Sequence, residues 1–314
     1  MGGQLTRPLS ELRRADDARF GGKSASLGEL IANGIAVPPG FALSADAYRR
    51  AGEEAALEPA GAVREAIVAA YEALGDAPPV AVRSSAIGED SSAATFAGQQ
   101  ESYLWVRGAG AVCDAVRDCW ASLHGPAASS YRDRMARTDE PPAMGVTVQL
   151  MVDAVVSGVI FTCNPVSGDP STVAVNASWG LGLAVVGGEV TPDEYRLSKV
   201  TGEVLQRTVG PKLVEYVPGE SGGAVRVDVP EERRAVACLD EAQLAALVDV
   251  GRRVERHFGA PQDVEWAIAR DDGSLFLLQS RPVTTAPAKP ATPAPRSAMD
   301  LVMNTFGARP KDKS

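Results

Sequence analysis

A chain of 314 residues is long enough for one large core or for two lobes that share a cleft, since single domains run roughly 100 to 200 residues. Its 40 acidic residues outnumber 31 basic ones, and the net charge of −9 comes with no dense run of Lys or Arg. No nucleic-acid partner is expected, because such a surface needs clustered cations to displace counterions, and no membrane span is expected either, because no apolar run is long enough.

The first element is written by KSASLGELIANG, where Leu27, Leu30 and Ile31 recur at helical spacing and Gly34 supplies the stop. Pro38, Pro39 and Gly40 turn the chain into a short strand over residues 41–43, and Ser44 is placed to cap a helix over SADAYRRAG. Val63, Ile67, Tyr71 and Leu74 predict a further helix, which two prolines separate from the strand VAVRSS. Residues 84–100 are mostly Ser, Ala and Gly, too small and irregular for a core element, and predict a long loop. The stretch MGVTVQLMVDAVVSGVIFTCNP is apolar and β-branched and predicts two buried strands, tightly connected and broken by Gly158. Strands are expected near residues 173–177 and 195–197. A helix should cover residues 242–257, with Leu244, Leu247, Val248 and Val254 facing the core. The last ordered element is a hairpin, DVEWAIARDDGSLFLLQSRP, turned at DDG. APAKPATPAP beyond it reads as a stiff linker, which gives a main unit over residues 1–285 and a linker and tail over 286–314. In the tail, Ser297 is placed to cap a short helix with Leu301, Val302, Thr305 and Phe306 on one face, a candidate docking element.

The hairpin carries the most chemistry. Strand alternation puts Val264, Trp266 and Ile268 on one face and Asp263 and Glu265 on the other, while Gln279 and Arg281 share a face on the return strand. If residues 271–273 form a three-residue loop with Gly273 left-handed, Glu265 lies opposite Gln279 and Asp263 opposite Arg281. A carboxylate beside an amide oxygen suits Mg2+, and the adjacent guanidinium suits a phosphate. The same four residues also describe a salt-bridged solvent face.

Arg83 ends the strand VAVRSS just before the small-residue loop that runs through Gly98 to Ser102, an arrangement that fits a phosphate clamp with a cover or, equally, a surface Arg beside a loop. Lys23 follows two glycines at a helix start, where unpaired amides favour an anion, but the spacing is not that of a P-loop. Gly180 and Gly182 in WGLGL, with Gly187 and Gly188, read as a turn that lets the backbone come close to something, or more simply as a structural Gly-rich turn. The two histidines, His124 and His257, sit alone in helical stretches and read as packing or surface residues. Cys113, Cys119, Cys163 and Cys238 form no C-x-x-C pair, and with no signal peptide a cytoplasmic location is expected.

Taken in order, the pieces FGGKSASLGEL, VPPGF, VAVRSSAIGEDSSAATFAGQQESY, VQLMV with SGVIFTCNP, ASWGLG, VVGGEVTPDEY, DVEWAI and LLQSRPV resemble the nucleotide-binding domain of a known family. It is that of phosphoenolpyruvate synthase, pyruvate phosphate dikinase and rifampin phosphotransferase, and the likeness runs over residues 20–284. The resemblance implies an α/β (α+β), two-lobed ATP-grasp fold with ATP and Mg2+ between the lobes. It also implies a phosphotransferase that phosphorylates a histidine on a separate carrier protein or domain, giving AMP, for onward transfer to a small-molecule acceptor. Position by position, Lys23, Arg83 and Arg281 match cations on the transferring phosphates, Glu265 and Gln279 match metal and phosphate ligands, and Asp263 matches the acid beside them. Gly98 and Ser102 match the phosphate-covering loop, and Gln149, Met151 and Val152 match the strand whose backbone faces adenine. The chain departs from the family at Leu183, where many relatives have Glu, and at Cys163, where some have Arg. Relatives continue after the linker into a histidine domain, whereas only residues 286–314 follow here, so the histidine is expected on a partner. A non-catalytic ATP-binding regulatory module and an ATP-grasp ligase or small-molecule kinase that yields ADP are the alternatives.

Overall fold

Two antiparallel sheets, each with its own apolar core, frame the molecule. The structure, a computed structural model, describes residues 4–53, 58–87, 102–124, 143–220 and 222–283. The first sheet contains β1 (Thr6–Pro8), β2 (Gly40–Leu43), β3 (Val80–Ala86), β4 (Ser102–Val106) and β5 (Met144–Leu150), in the order β1-β2-β5-β3-β4. The second contains β6 (Ala154–Phe161), β7 (Thr172–Trp179), β8 (Asp193–Ser198) and β9 (Val204–Thr208). A separate hairpin follows, β10 (Val214–Pro218) with β11 (Ala224–Asp228). The closing pair, β12 (Gln262–Ala269) and β13 (Leu275–Pro282), completes the second sheet in the order β13-β12-β6-β7-β8-β9.

The expected pair of strands in MGVTVQLMVDAVVSGVIF forms, but its partners differ from a hairpin. β5 belongs to the first sheet and β6 to the second, so residues 151–153 carry the chain from one lobe to the other. Nor does Gly158 break the strand. It sits inside β6, where an added Cβ would lie 1.9 Å from the Asn176 carbonyl oxygen and 2.8 Å from Cζ2 of Trp266. The missing side chain lets the neighbouring strand and the indole close in.

After α1 (Asp17–Phe20) comes α2 (Gly22–Ala32), and α3 (Ala45–Glu53), α4 (Gly61–Glu72) and α5 (Ala109–Ser122) complete the first lobe. α3 starts as expected, with Ser44 Oγ accepting from the Ala47 N–H at 3.4 Å. α4 buries Val63, Ile67 and Tyr71, one apolar residue per turn, against Phe41, Leu43, Val82 and Val148 of the sheet. α5 adds Val112, Val116 and Trp120 to this core, each large side chain contributing about 1.5–3 kcal/mol by leaving water.

The second core joins Val156, Ile160, Val175, Val264 and Trp266 to Leu244, Leu247 and Val254 of the long helix Glu241–Phe258. That helix opens on a capping box between Asp240 and Gln243 and ends at Gly259, whose φ of 71° is left-handed. Beneath the loop before β8, Asp193 and Lys212 are both fully buried and hydrogen-bonded to each other. The carboxylate also accepts from the N–H groups of Gly210 (2.9 Å) and Cys238 (2.8 Å), and Lys212 Nζ donates to the Gly210 carbonyl at 2.8 Å, so the charges are enclosed by partners.

α2 ties the lobes together. Leu27 and Leu30 enter the second core, while Ser24 Oγ bonds Thr147 Oγ1 on β5 at 2.7 Å and Ser26 Oγ donates to the Ser280 carbonyl on β13 at 2.9 Å. Gly21, at φ 82°, lets the helix start press on β3, since a Cβ there would lie 2.2 Å from the Ser85 carbonyl oxygen. Among the described residues no helix is long and apolar enough to cross a membrane.

Candidate functional site

The two sheets enclose a cleft of about 510 Å3. Lys23, Arg83, Ser102, Gln149, Met151, Val152, Glu265, Gln279 and Arg281 all line it. Gly98 lies outside the described residues, and so do the linker and the tail helix expected over 286–314.

The charged end is built on the closing hairpin. Asp263 faces Arg281 and Glu265 faces Gln279, the register that alternation and turn chemistry predict. The route to that register differs from the expected three-residue loop. Ala269 N–H donates to the Ser274 carbonyl at 2.9 Å and Gly273 N–H to the Ala269 carbonyl at 3.1 Å, so residues 270–273 close the turn, with Gly273 left-handed at φ 71°. A longer turn shifts every pair by one, and a bulge beside Trp266, where Leu278 is the extra residue, shifts it back. The bulge therefore places the polar side chains of both strands on one patch.

It also re-aims a carbonyl. Arg83, delivered by β3 from the other lobe, donates from Nη1 to the Leu278 oxygen at 3.2 Å and stands 3.5 Å from Glu265 Oε2. Its Nε is buried and has no hydrogen-bond acceptor among the described residues. Arg281 directs both Nε and Nη2 at Asp263 Oδ2, each at 2.8 Å. Burial pushes the Asp263 carboxyl above the ordinary carboxylate range, the Arg281 charge pulls it back, and the Glu265 charge adds to the rise. Asp263 thus does not line the cleft, but it fixes the guanidinium that does. Lys23, 8% exposed in the first turn of α2, donates from Nζ to the Ser84 carbonyl at 3.0 Å. Ser102 on β4 sits opposite Arg83 in the sheet.

The other end is apolar. Gln149 is buried, with Nε2 on the Pro38 carbonyl at 3.3 Å. The N–H groups of Leu150 and Met151 donate to the carbonyls of Pro39 (2.8 Å) and Pro79 (3.0 Å), which removes two amide donors of this crossing from the reach of a ligand. Met151, Val152, Ala154, Leu181 and Ala267 supply an apolar surface.

Several lining residues had no sequence signal of their own. Glu189 enters the cleft wall, held by the Tyr216 hydroxyl at 3.0 Å; it falls inside VVGGEVTPDEY, a piece that carries the family resemblance without pointing to this side chain. Leu278 contributes through a carbonyl that depends on the bulge. The close approach expected at WGLGL is to β10, because a Cβ on Gly180 would lie 2.4 Å from the Tyr216 carbonyl oxygen. Of the two departures from the family pattern, Leu183 lines the cleft, whereas Cys163 is buried in the second lobe away from it, and burial pushes its thiol pKa up. His124 bonds the Tyr48 hydroxyl at 3.0 Å and His257 bonds Glu29 at 2.8 Å, and neither lines the cleft. Among the described residues no three His, Cys, Asp or Glu side chains group as a closed metal cage.

A two-lobed α+β molecule whose interlobe cleft is cationic at one end and apolar at the other belongs to the class of nucleotide-binding proteins. The chain belongs to the family of the pyruvate phosphate dikinase AMP/ATP-binding domain, whose model matches residues 17–62 and 58–300. Similar proteins include a probable phosphoenolpyruvate synthase of Methanothermobacter thermautotrophicus, 39% identical over 88% of this chain and 46% of its own length. A rifampicin phosphotransferase of Streptomyces is 37% identical over 91% of this chain and 36% of its own. The chain thus spans less than half the length of these relatives. An L-amino acid ligase structure from Bacillus licheniformis aligns with 85% of this chain and 43% of its own, at 13% identity and a TM-score of 0.37.

Proposed function

We propose that the chain is the ATP-binding catalytic part of a dikinase-type phosphotransferase. It uses ATP with Mg2+ to phosphorylate a histidine on a separate carrier protein or domain: one phosphoryl group goes to the histidine, the other goes to water and leaves as inorganic phosphate, and AMP remains; the carrier then passes its phosphoryl group to a small-molecule acceptor. The observation that supports this most is the convergence of Lys23, Arg83 and Arg281 on one end of the cleft, with Arg83 Nε buried and lacking an acceptor among the described residues. A phosphate oxygen is the partner such a donor calls for, since a buried unpaired donor is costly.

Phosphoryl transfer is mostly positioning and charge neutralisation, and the residues divide along those lines. Lys23 contributes a full charge at a helix start, Arg83 bridges from the first lobe to the bulge, and Arg281 is oriented by Asp263. Ser102 borders the phosphates, and the family resemblance assigns Gly98 to the same covering loop. Adenine rests on the apolar crossing at Gln149, Met151 and Val152. Glu265 and Gln279 fit Mg2+: two oxygen donors lie side by side, with room for water and phosphate to complete the set. Bound there, the ion neutralises charge on the phosphates.

The acceptor histidine comes from outside this sequence. Only two histidines are present, and both are engaged away from the cleft, with Tyr48 and Glu29. Incubation with ATP, Mg2+ and a candidate histidine carrier should give AMP and acid-labile phosphate on the carrier. ADP without phosphohistidine would point instead to a ligase or small-molecule kinase, and tight ATP binding without turnover under any partner to a regulatory module.

A further inference from the structure

Trp105 has a backbone conformation that its side chain does not favour. Between Val80↔Val106 and Val82↔Tyr103, β3 has one residue and β4 has two, Leu104 and Trp105, so β4 bulges there. Trp105 takes φ 60° at this bulge, the left-handed region that suits Gly or Asn and is an outlier for a bulky residue. Local strain of this kind persists where the surroundings hold it, and it concentrates at working sites.

The strained conformation sends the indole between the lobes. Trp105 is 6% exposed and forms one apolar cluster with Ala154, Leu181 and Ala267, against which Met151, Val152 and Leu278 pack. Those six residues all line the cleft, and Trp105 does not, although its neighbour Leu104 does. The indole therefore stands behind the apolar floor. From the second lobe, Gly223 at the end of the β10–β11 hairpin donates its N–H to the Trp105 carbonyl at 3.2 Å and holds the bulge in place.

We propose that Trp105 is a positioning residue for the nucleotide base: a wedge contributed by the first lobe that backs the floor at Met151, Val152 and Ala267 and so sets the depth of the cleft's apolar end. This rests on the reading of the cleft as an ATP site. Removing the wedge lets the floor sink, and the base loses contact area, while the phosphate end keeps its cations.

Calorimetry in the presence of Mg2+, with ATP and with inorganic tripolyphosphate, tests this on the 314-residue chain and its variants. Trp105→Asn suits the left-handed backbone, so it removes the wedge and the strain together. It should weaken ATP about tenfold and leave tripolyphosphate within about twofold, whereas Trp105→Phe should hold ATP within about threefold of wild type. Unchanged ATP affinity in Trp105→Asn, or an equal loss for both ligands, would overturn the proposal. Should Trp105→Asn not fold, Trp105→Leu keeps an apolar side chain, and ATP alone should weaken by about threefold. A wild-type chain that binds tripolyphosphate as well as ATP removes the base site, and with it the wedge. One that binds neither overturns the functional reading itself.

Discussion

Arg83 of the first lobe reaches Glu265 of the second, with Nη1 3.5 Å from Oε2, and its next contact is the Leu278 carbonyl freed by the hairpin bulge. A cation and an expected metal ligand are thus coupled across the cleft. Arriving phosphate and Mg2+ would divide this pair between them, the guanidinium going to phosphate and the carboxylate to the ion.

Arg83→Ala separates binding from chemistry. On the proposed assignment Lys23 and Arg281 still hold the nucleotide, so ATP affinity should fall only about tenfold. Phosphoryl transfer, which needs charge stabilised in the transition state, should fall by about 10²–10³. AMP release with a histidine carrier and ATP calorimetry read the two effects. An active Arg83→Ala variant removes Arg83 from the clamp.

Glu265→Gln tests the metal assignment with little change of shape. In wild type, Mg2+ should tighten ATP binding, and in the variant that gain should shrink by about tenfold because a charged oxygen ligand has been lost. ATP measured in EDTA should bind as well or better, since a negative charge beside Arg83 has gone. If the Mg2+ enhancement survives intact, the ion is held elsewhere.

The buried Asp193–Lys212 pair predicts a stability effect remote from chemistry. Lys212→Met leaves a fully buried carboxylate without its counter-charge, a loss of about 3–5 kcal/mol. The N–H groups of Gly210 and Cys238 remain on that carboxylate, which favours the lower end. Urea unfolding of Lys212→Met and of Lys212→Met/Asp193→Asn should show the double variant recovering part of the loss. A single variant as stable as wild type would mean that the pair adds nothing.

Charged side chains at strand ends were legible because strand alternation is rigid: once Asp263, Glu265, Gln279 and Arg281 lie on one hairpin, their faces follow. The turn was less legible. A four-residue closure and a bulge at Leu278 offset each other, so the expected register arose by another route. Strand partners were not legible for β5 and β6, whose apolar run says that both are buried but not that they join different sheets. α5 was hidden in AGAVCDAVRDCWAS, where small residues dilute the apolar stripe of Val112, Val116 and Trp120. The left-handed Trp105 was invisible because no local preference asks for it. The bulge and the other lobe impose it.

Lys23 offers the sharpest opposition between stability and function. The residue is 8% exposed, and its ammonium lies beside the Ser84 carbonyl, in the first turn of α2, where helix amides already carry partial positive charge. The positive end of a helix does not favour a cation, so the charge of Lys23 gains nothing from its place in α2. Lys23→Met keeps the stem and its packing while removing the charge. The variant should melt at or slightly above the wild-type temperature, yet bind ATP about ten- to thirtyfold more weakly, the trade expected where a site is held at the expense of stability. Thermal melts with and without ATP check both halves: the ATP-induced rise in melting temperature should shrink in Lys23→Met even though the ligand-free protein is no less stable. A variant that melts much lower and still binds ATP normally would make Lys23 a structural residue of the α2 junction.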